Sequence, residues 1–142
     1  MKKVIMCMCL ILIMLCLGSC GKNAATENVE IQIGESQRFS EEEIQDAVNL
    51  VKKNFNLTDC TLTKLWYDEE ASGQIEEGYL HNGKGSINGV KPENVIVIFS
   101  EFQVGKSREN EIFEPGATYS DYNWTLIRND KKSKWTIDDQ GY

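Results

Sequence analysis

Apolar residues follow three different rhythms along this chain. From Val4 to Leu17 they are almost continuous, from Ile44 they recur at helical spacing, and from Cys60 onward they gather into short runs rich in β-branched and aromatic residues. The helical segment is the best specified of the three. Ser40 and Glu43 have the spacing of a capping box, and Phe39 with Ile44 that of a hydrophobic staple, so a helix is predicted from Ser40 to about residue 54. Ile44, Ala47, Val48, Val51 and Phe55 fall on one stripe. Glu41, Glu42 and Glu43 open the helix and Lys52 and Lys53 close it, in agreement with the macrodipole. A single apolar stripe has to be buried against something, and the runs that follow predict a sheet.

Those runs place strands at residues 60–67, 95–104, 122–128 and 135–138. The last two read as a hairpin, because Asn129, Asp130, Lys131, Lys132 and Ser133 supply polar turn residues between them. Tyr122, Trp124 and Leu126 then share a face with Trp135 and Ile137 by the period of two. Residues 95–99 are apolar at both parities, which requires a cover on each face of that strand, while Glu101 and Gln103 return one face to water. The segment 72–80 is a candidate short second helix for the second cover. Gly73 and Gly78 count against it, and Gly83, Gly85 and Gly89 mark a loop after it. The expected fold is α+β: one principal N-terminal helix packed on a curved antiparallel sheet of about four strands.

The first rhythm is an address. Lys2 and Lys3, the apolar stretch to Leu17, and the small residues Gly18 and Ser19 before Cys20 resemble a bacterial lipoprotein signal ending in its lipobox. A spanning helix needs ~20 apolar residues, and here Gly18 and then Gly21, Lys22 and Asn23 stop the run early. Cleavage between Ser19 and Cys20, with lipid on Cys20, predicts a protein anchored in the cell membrane on its extracytoplasmic face; two or three acyl chains at ~0.8 kcal/mol per methylene hold where one is marginal. The domain reading is residues 1–19 signal peptide, 20–37 lipidated cysteine and polar tether, and 38–142 a single domain. Within the tether, Glu30, Ile31, Gln32 and Ile33 alternate and are a candidate short strand.

Removing the signal changes the chemistry available. Fifteen Lys and Arg less Lys2 and Lys3, against 22 Asp and Glu, leave a charge of −9, which repels a phosphate backbone and argues against nucleic acid. With Cys20 lipidated, Cys60 is the one thiol of the mature chain; no internal disulfide forms and burial must hold the fold. Cys60 opens a strand and reads as a small core residue. His81 is the only histidine, in a glycine-rich stretch that makes a poor platform for a base. Asp138 and Asp139 are neighbours on a strand, expected to point to opposite faces. The run Asp68, Glu69, Glu70 lacks the alternating ligands of a calcium loop and reads as a turn, and zinc spacing is absent, so no metal, cofactor or catalytic residue is assigned. The aromatic residues carry binding potential: Trp66, Trp124 and Trp135 are candidate ligand-lining residues if the sheet curves around a cavity, and otherwise fill the core that a small domain needs.

The stretch from Phe39 to Ile44, the run from Cys60 to Glu70, Leu126 to Asn129 and the terminal stretch from Trp135 to Tyr142 resemble an uncharacterised family of small Firmicutes lipoproteins. The resemblance covers roughly the whole folded domain and implies no catalytic residue. The order of elements is also similar to the cone-shaped NTF2-like and cystatin-like folds. Neither resemblance carries a function; the missing catalytic constellation and the membrane tether point to a non-catalytic module that binds a protein, peptide or wall component near the membrane, with a small-ligand carrier as the alternative and an enzyme of unassigned type behind both.

Overall fold

A computed structural model describes residues 26–142; the signal, Ser19, Cys20 and the start of the tether lie outside the described residues. The chain forms β1 (Glu30–Ile33), α1 (Glu41–Asn54), β2 (Cys60–Tyr67), α2 (Glu69–Asn82), the one-turn α3 (Gly85–Asn88), β3 (Val95–Val104), β4 (Thr118–Ile127) and β5 (Thr136–Gly141). The five strands make one sheet in the order β1-β2-β3-β4-β5. The fold is α+β as expected, but the sheet has five strands instead of about four and is mixed instead of antiparallel. β1 pairs parallel with β2, Ile33 opposite Tyr67, and only the remaining neighbours are antiparallel. A parallel pair needs a long crossover, and α1 supplies it. Gly34 makes the pairing close: its N–H donates to the Tyr67 carbonyl at 3.1 Å, and a Cβ there would lie 2.9 Å from that oxygen.

Helix α1 begins as its sequence dictates. Ser40 accepts from the Glu43 amide at 3.2 Å and the Glu43 carboxylate accepts from the Ser40 amide at 2.8 Å. Ile44, Ala47, Val48 and Val51 are buried on one face of the sheet with Leu62, Leu65, Tyr67, Ile96, Ile98, Phe102, Trp124 and Leu126. The second face of β3 is covered too. Val95, Val97 and Phe99 are buried outside that cluster, and α2 packs there, with Ser72 Oγ donating to the Val97 carbonyl at 2.7 Å.

The second helix is therefore a full element of 14 residues, longer than the expected segment 72–80, and His81 lies in its last turn instead of a loop. Glycine at 73 and 78 weakens the helix locally, but its start is fixed from outside. Asp68 caps it by accepting from the Ala71 amide at 2.8 Å, and Glu69 accepts from the hydroxyl of Ser36 and the amides of Gln37 and Arg38. The acidic run read as a turn is a helix start.

Three bulges, between Leu62 and Lys64, opposite Ser100 and Phe102, and at Thr125 and Leu126, break the strict alternation of β2, β4 and β5. In β5, Leu126 pairs with Ile137 and Thr125 with Asp139, so Asp138 is the extra residue. A bulge re-aims the side chains around it. Asp138 and Asp139 accordingly do not take opposite faces: both reach α2 and α3, Asp138 through Tyr79 and Asp139 through Lys84.

Candidate functional site

Two of the places where the fold brings polar side chains together border clefts: the end of the sheet marked by the β4–β5 turn, and the α2 face of β4 and β5.

At the β4–β5 end, Phe39 sits between two guanidinium groups, with Arg38 5.0 Å and Arg128 5.9 Å from its ring centre. Arg128 also lies 4.3 Å above the Trp135 ring. Each arginine has a carboxylate. Arg38 grips Glu76 with both terminal nitrogens, at 2.7 and 2.9 Å, and reaches the Pro92 carbonyl. Arg128 donates to Glu43 at 2.7 Å in a pair whose side chains are 4 % and 16 % exposed. Glu43 thus caps α1, holds Arg128, and through its backbone carbonyl accepts the Trp135 indole N–H at 3.0 Å. Burial alone raises the Glu43 carboxyl, but the Ser40 amide and the Arg128 guanidinium outweigh it and hold the group below its ordinary value. The hydrogen bond that Arg38 donates to Glu76 dominates and raises its already high value. The Arg128 Nε is buried without a hydrogen-bond partner.

Arg128 separates two clefts. One, about 660 Å³, runs between Arg38, Lys91 and Lys131. The other, about 490 Å³, lies between Asp46 and Leu50 of α1 and Lys132 and Trp135 beyond the turn.

On the α2 face, Tyr79 donates to Asp138 Oδ2 at 2.7 Å and accepts from Asn88 Nδ2 at 2.9 Å. Burial first, and then its bond to the Asp138 carboxylate, push the Tyr79 hydroxyl up to about 12. Lys84 pins the same strand through the Asp138 carbonyl at 2.7 Å and the Asp139 carboxylate at 3.0 Å. A groove of about 370 Å³ runs beside this network between α2 and β4.

The three candidate tryptophans do not meet. Trp124 is 1 % exposed in the core under α1, its indole N–H donating to Ser100 Oγ at 2.9 Å. Trp135 is 7 % exposed beneath Arg128 and forms a wall of the smaller cleft. Trp66 lies on the α2 side, stacked on Phe99 with centroids 5.7 Å apart. His81 Nδ1 contacts the Glu77 carbonyl of its own helix at 2.9 Å. Cys60 is buried and donates to the Thr58 carbonyl at 3.3 Å; burial raises its thiol and disfavours the thiolate. Among the described residues there is no group of acidic, histidine or cysteine side chains suited to a metal ion, and no helix is long and apolar enough to cross a membrane.

The pairs that build the two sites escaped the sequence reading because their members are far apart: Arg38 and Glu76 are separated by 38 positions, Glu43 and Arg128 by 85. One part was legible. Asp68 followed by Glu69 and Glu70 is the same start signature that identified α1, and it marks the helix carrying Glu76 and Tyr79.

No curated protein and no solved structure matches the chain. Residues 36–141, from the Ser36 that anchors Glu69 to the end of β5, match the family described as a domain of unknown function, DUF4829, and the chain belongs to that family.

Proposed function

We propose that the protein is a non-catalytic binding module of the small Firmicutes lipoprotein kind, held on the extracytoplasmic face of the cell membrane through lipid on Cys20, which presents its β4–β5 end to an anionic protein, peptide or wall component. The observation that carries this reading is the segregation of charge. Seven of the twelve basic residues within 26–142 line the two clefts at that end, facing five acidic ones; the rest of the described chain holds five basic and seventeen acidic residues. Fields in physiological salt fade over ~8 Å, so a partner at this end responds to the local lysines and arginines and not to the distant acids.

Position supports the same reading. The described chain enters the sheet through β1, at the edge opposite β5. The acidic groups that catalysis would recruit are engaged in holding the fold: Glu43 with Arg128, Glu76 with Arg38, Asp138 with Tyr79. An open cone-shaped NTF2-like or cystatin-like interior has no part in this reading, since Trp124 is buried beneath α1.

Two measurements test it. Cys20→Ser is expected to abolish lipid labelling and release the protein from the membrane fraction; an unlabelled variant that stays there overturns the anchor. Co-sedimentation with purified cell-wall sacculi is expected to weaken as salt rises and to be lost when Lys91, Lys131 and Lys132 are all changed to Glu. Binding that survives this reversal unchanged removes the clefts from the proposal.

A further inference from the structure

The groove on the α2 face has a floor that packing does not account for. Its base is β4, where Asn123 and Thr125 are 8 % and 2 % exposed. Neither side chain has a hydrogen-bond partner among the described residues, whereas the neighbouring buried polar groups on this face do: Ser72 holds the Val97 carbonyl and Tyr79 holds Asp138. Unlike the Arg128 Nε, the polar atoms of these two side chains keep access to solvent, so a largely buried amide and a largely buried hydroxyl offer their hydrogen-bonding capacity to whatever occupies the groove.

The walls add exposed polar groups. Gln74 and Asn82 of α2 line the groove without a side-chain partner among the described residues, and Asp139, paired with Lys84 through Oδ1, contributes a carboxylate from β5. No lysine, arginine or histidine lines it, so it offers an anion no counter-charge, in contrast with the clefts at the β4–β5 end. Tyr142, 68 % exposed, lines the groove at the C-terminus, with its ring packed beside those of Tyr119 and Tyr122. Amides that both donate and accept, a hydroxyl, a carboxylate acceptor and one exposed ring suit a compact molecule with many hydroxyls and an apolar C–H face.

Gly78 lies on the same groove. It lies in the tenth position of α2, where glycine costs about 1 kcal/mol relative to alanine. A Cβ at this position would meet nothing within 4 Å, so packing gives no reason for the glycine. Gly78 does line the groove, whereas Gly73, equally open, does not.

We propose that the groove between α2 and β4–β5 is a binding site for a neutral saccharide, with Asn123, Thr125, Gln74 and Asn82 bonding its hydroxyls, Asp139 accepting from one of them, and Tyr142 lying against the sugar ring. The groove, about 370 Å³, is at the small end of ligand pockets and suits one or two sugar units. The site is separate from the cationic clefts and does not depend on them or on the anchor.

The test is a titration of the isotope-labelled full chain with chitotriose, following the side-chain amides of Asn123, Gln74 and Asn82 by NMR, with a capped tri-alanine peptide as the second probe. Saturable shifts confined to these amides are expected with the saccharide. Gly78→Leu, whose Cβ meets nothing within 4 Å, places an apolar side chain at the groove and is expected to weaken binding at least about tenfold, while Thr125→Val, which keeps the side chain's shape, weakens it several-fold. Unchanged spectra with chitotriose, or an affinity that Gly78→Leu and Thr125→Val leave intact, overturns the site. Shifts of the same amides with the peptide and not the saccharide overturn the ligand class. Because the Lys91, Lys131 and Lys132 reversal leaves this groove untouched, failure of the cationic reading and failure of this one are read separately.

Discussion

The two faces of the sheet bury their residues by different means. Under α1 the interior is apolar and continuous: Phe55, Phe102, Tyr122 and Trp124 contact one another ring to ring, and the one polar link at its centre, Trp124 to Ser100, is satisfied. Under α2 the covered side chains are Val95, Val97 and Phe99 on β3, but then Ser72, Glu76, Asn123 and Thr125, and the helix that covers them contains two glycines. An aromatic interior of the first kind stabilises through area removed from water and close packing. A layer of the second kind holds position through a few directed bonds and keeps polar groups near the surface. The difference assigns stability mainly to the α1 face and leaves the polar surfaces at the α2 face and the β4–β5 end for the proposed binding.

The sharpest break in that comparison comes from truncating one tryptophan on each side. Trp124→Ala is expected to cost about 3–5 kcal/mol, the loss of transfer energy plus a residual cavity, in a domain whose total stability is of order 5–15 kcal/mol. Trp66→Ala, which removes a half-buried ring stacked on Phe99, is expected to cost about 1 kcal/mol. Denaturant titration of the two variants decides it. Equal losses would mean that the α2 face is as much a core as the α1 face.

What the chain disclosed beforehand follows the same division. The bounds of β2 and β3 and the start of α1 were legible, because each rests on local pattern: alternation, a β-branched run, a capping box. The bounds of β4 and β5 were not. Asp121, with φ of 62°, and Asp138 each insert a residue that shifts the alternation, and a reader counting by twos loses the face at that point. The parallel pairing of β1 was illegible for another reason. Four alternating residues say that a strand forms and nothing about which neighbour it takes. Helix α2 was underestimated because propensity penalises Gly73 and Gly78 one by one, while the bonds that fix it, Ser72 to Val97, Glu76 to Arg38 and Tyr79 to Asp138, come from distant parts of the chain.

A smaller effect sharpens the comparison through pH. Glu43 is held below its ordinary carboxyl value, so it binds protons less readily folded than unfolded. The stability it contributes is complete above the unfolded value near 4.5 and is lost as pH falls through the lower folded one. Glu43→Gln keeps the shape but weakens the bonds to Ser40 and Arg128, and is expected to cost about 2 kcal/mol near neutral pH. Below pH 4.5 the gap between variant and native protein should narrow, which chemical denaturation at pH 7 and pH 3 measures. A gap that stays constant between these values would show that Glu43 acts through packing alone.

The smallest expected effect is the most discriminating, because the same substitution changes sign between two glycines a few residues apart. At Gly78 a methyl group meets open space within a helix, so Gly78→Ala is expected to stabilise the protein by about 0.5–1 kcal/mol through helix propensity and a less flexible unfolded chain. At Gly85 an added Cβ would lie 2.6 and 2.8 Å from the Tyr79 ring, which is itself tied to Asp138 and Asn88 and cannot retreat without losing those bonds. Gly85→Ala is therefore expected to destabilise despite its better propensity. Thermal unfolding of both variants under one condition gives the comparison. If Gly78→Ala lowers the melting temperature as Gly85→Ala does, α2 is packed more tightly along its groove side than the open space there implies, and the glycine at 78 is structural. If it raises the temperature, the glycine serves no purpose in folding, and its place at the edge of the groove is what remains to explain it.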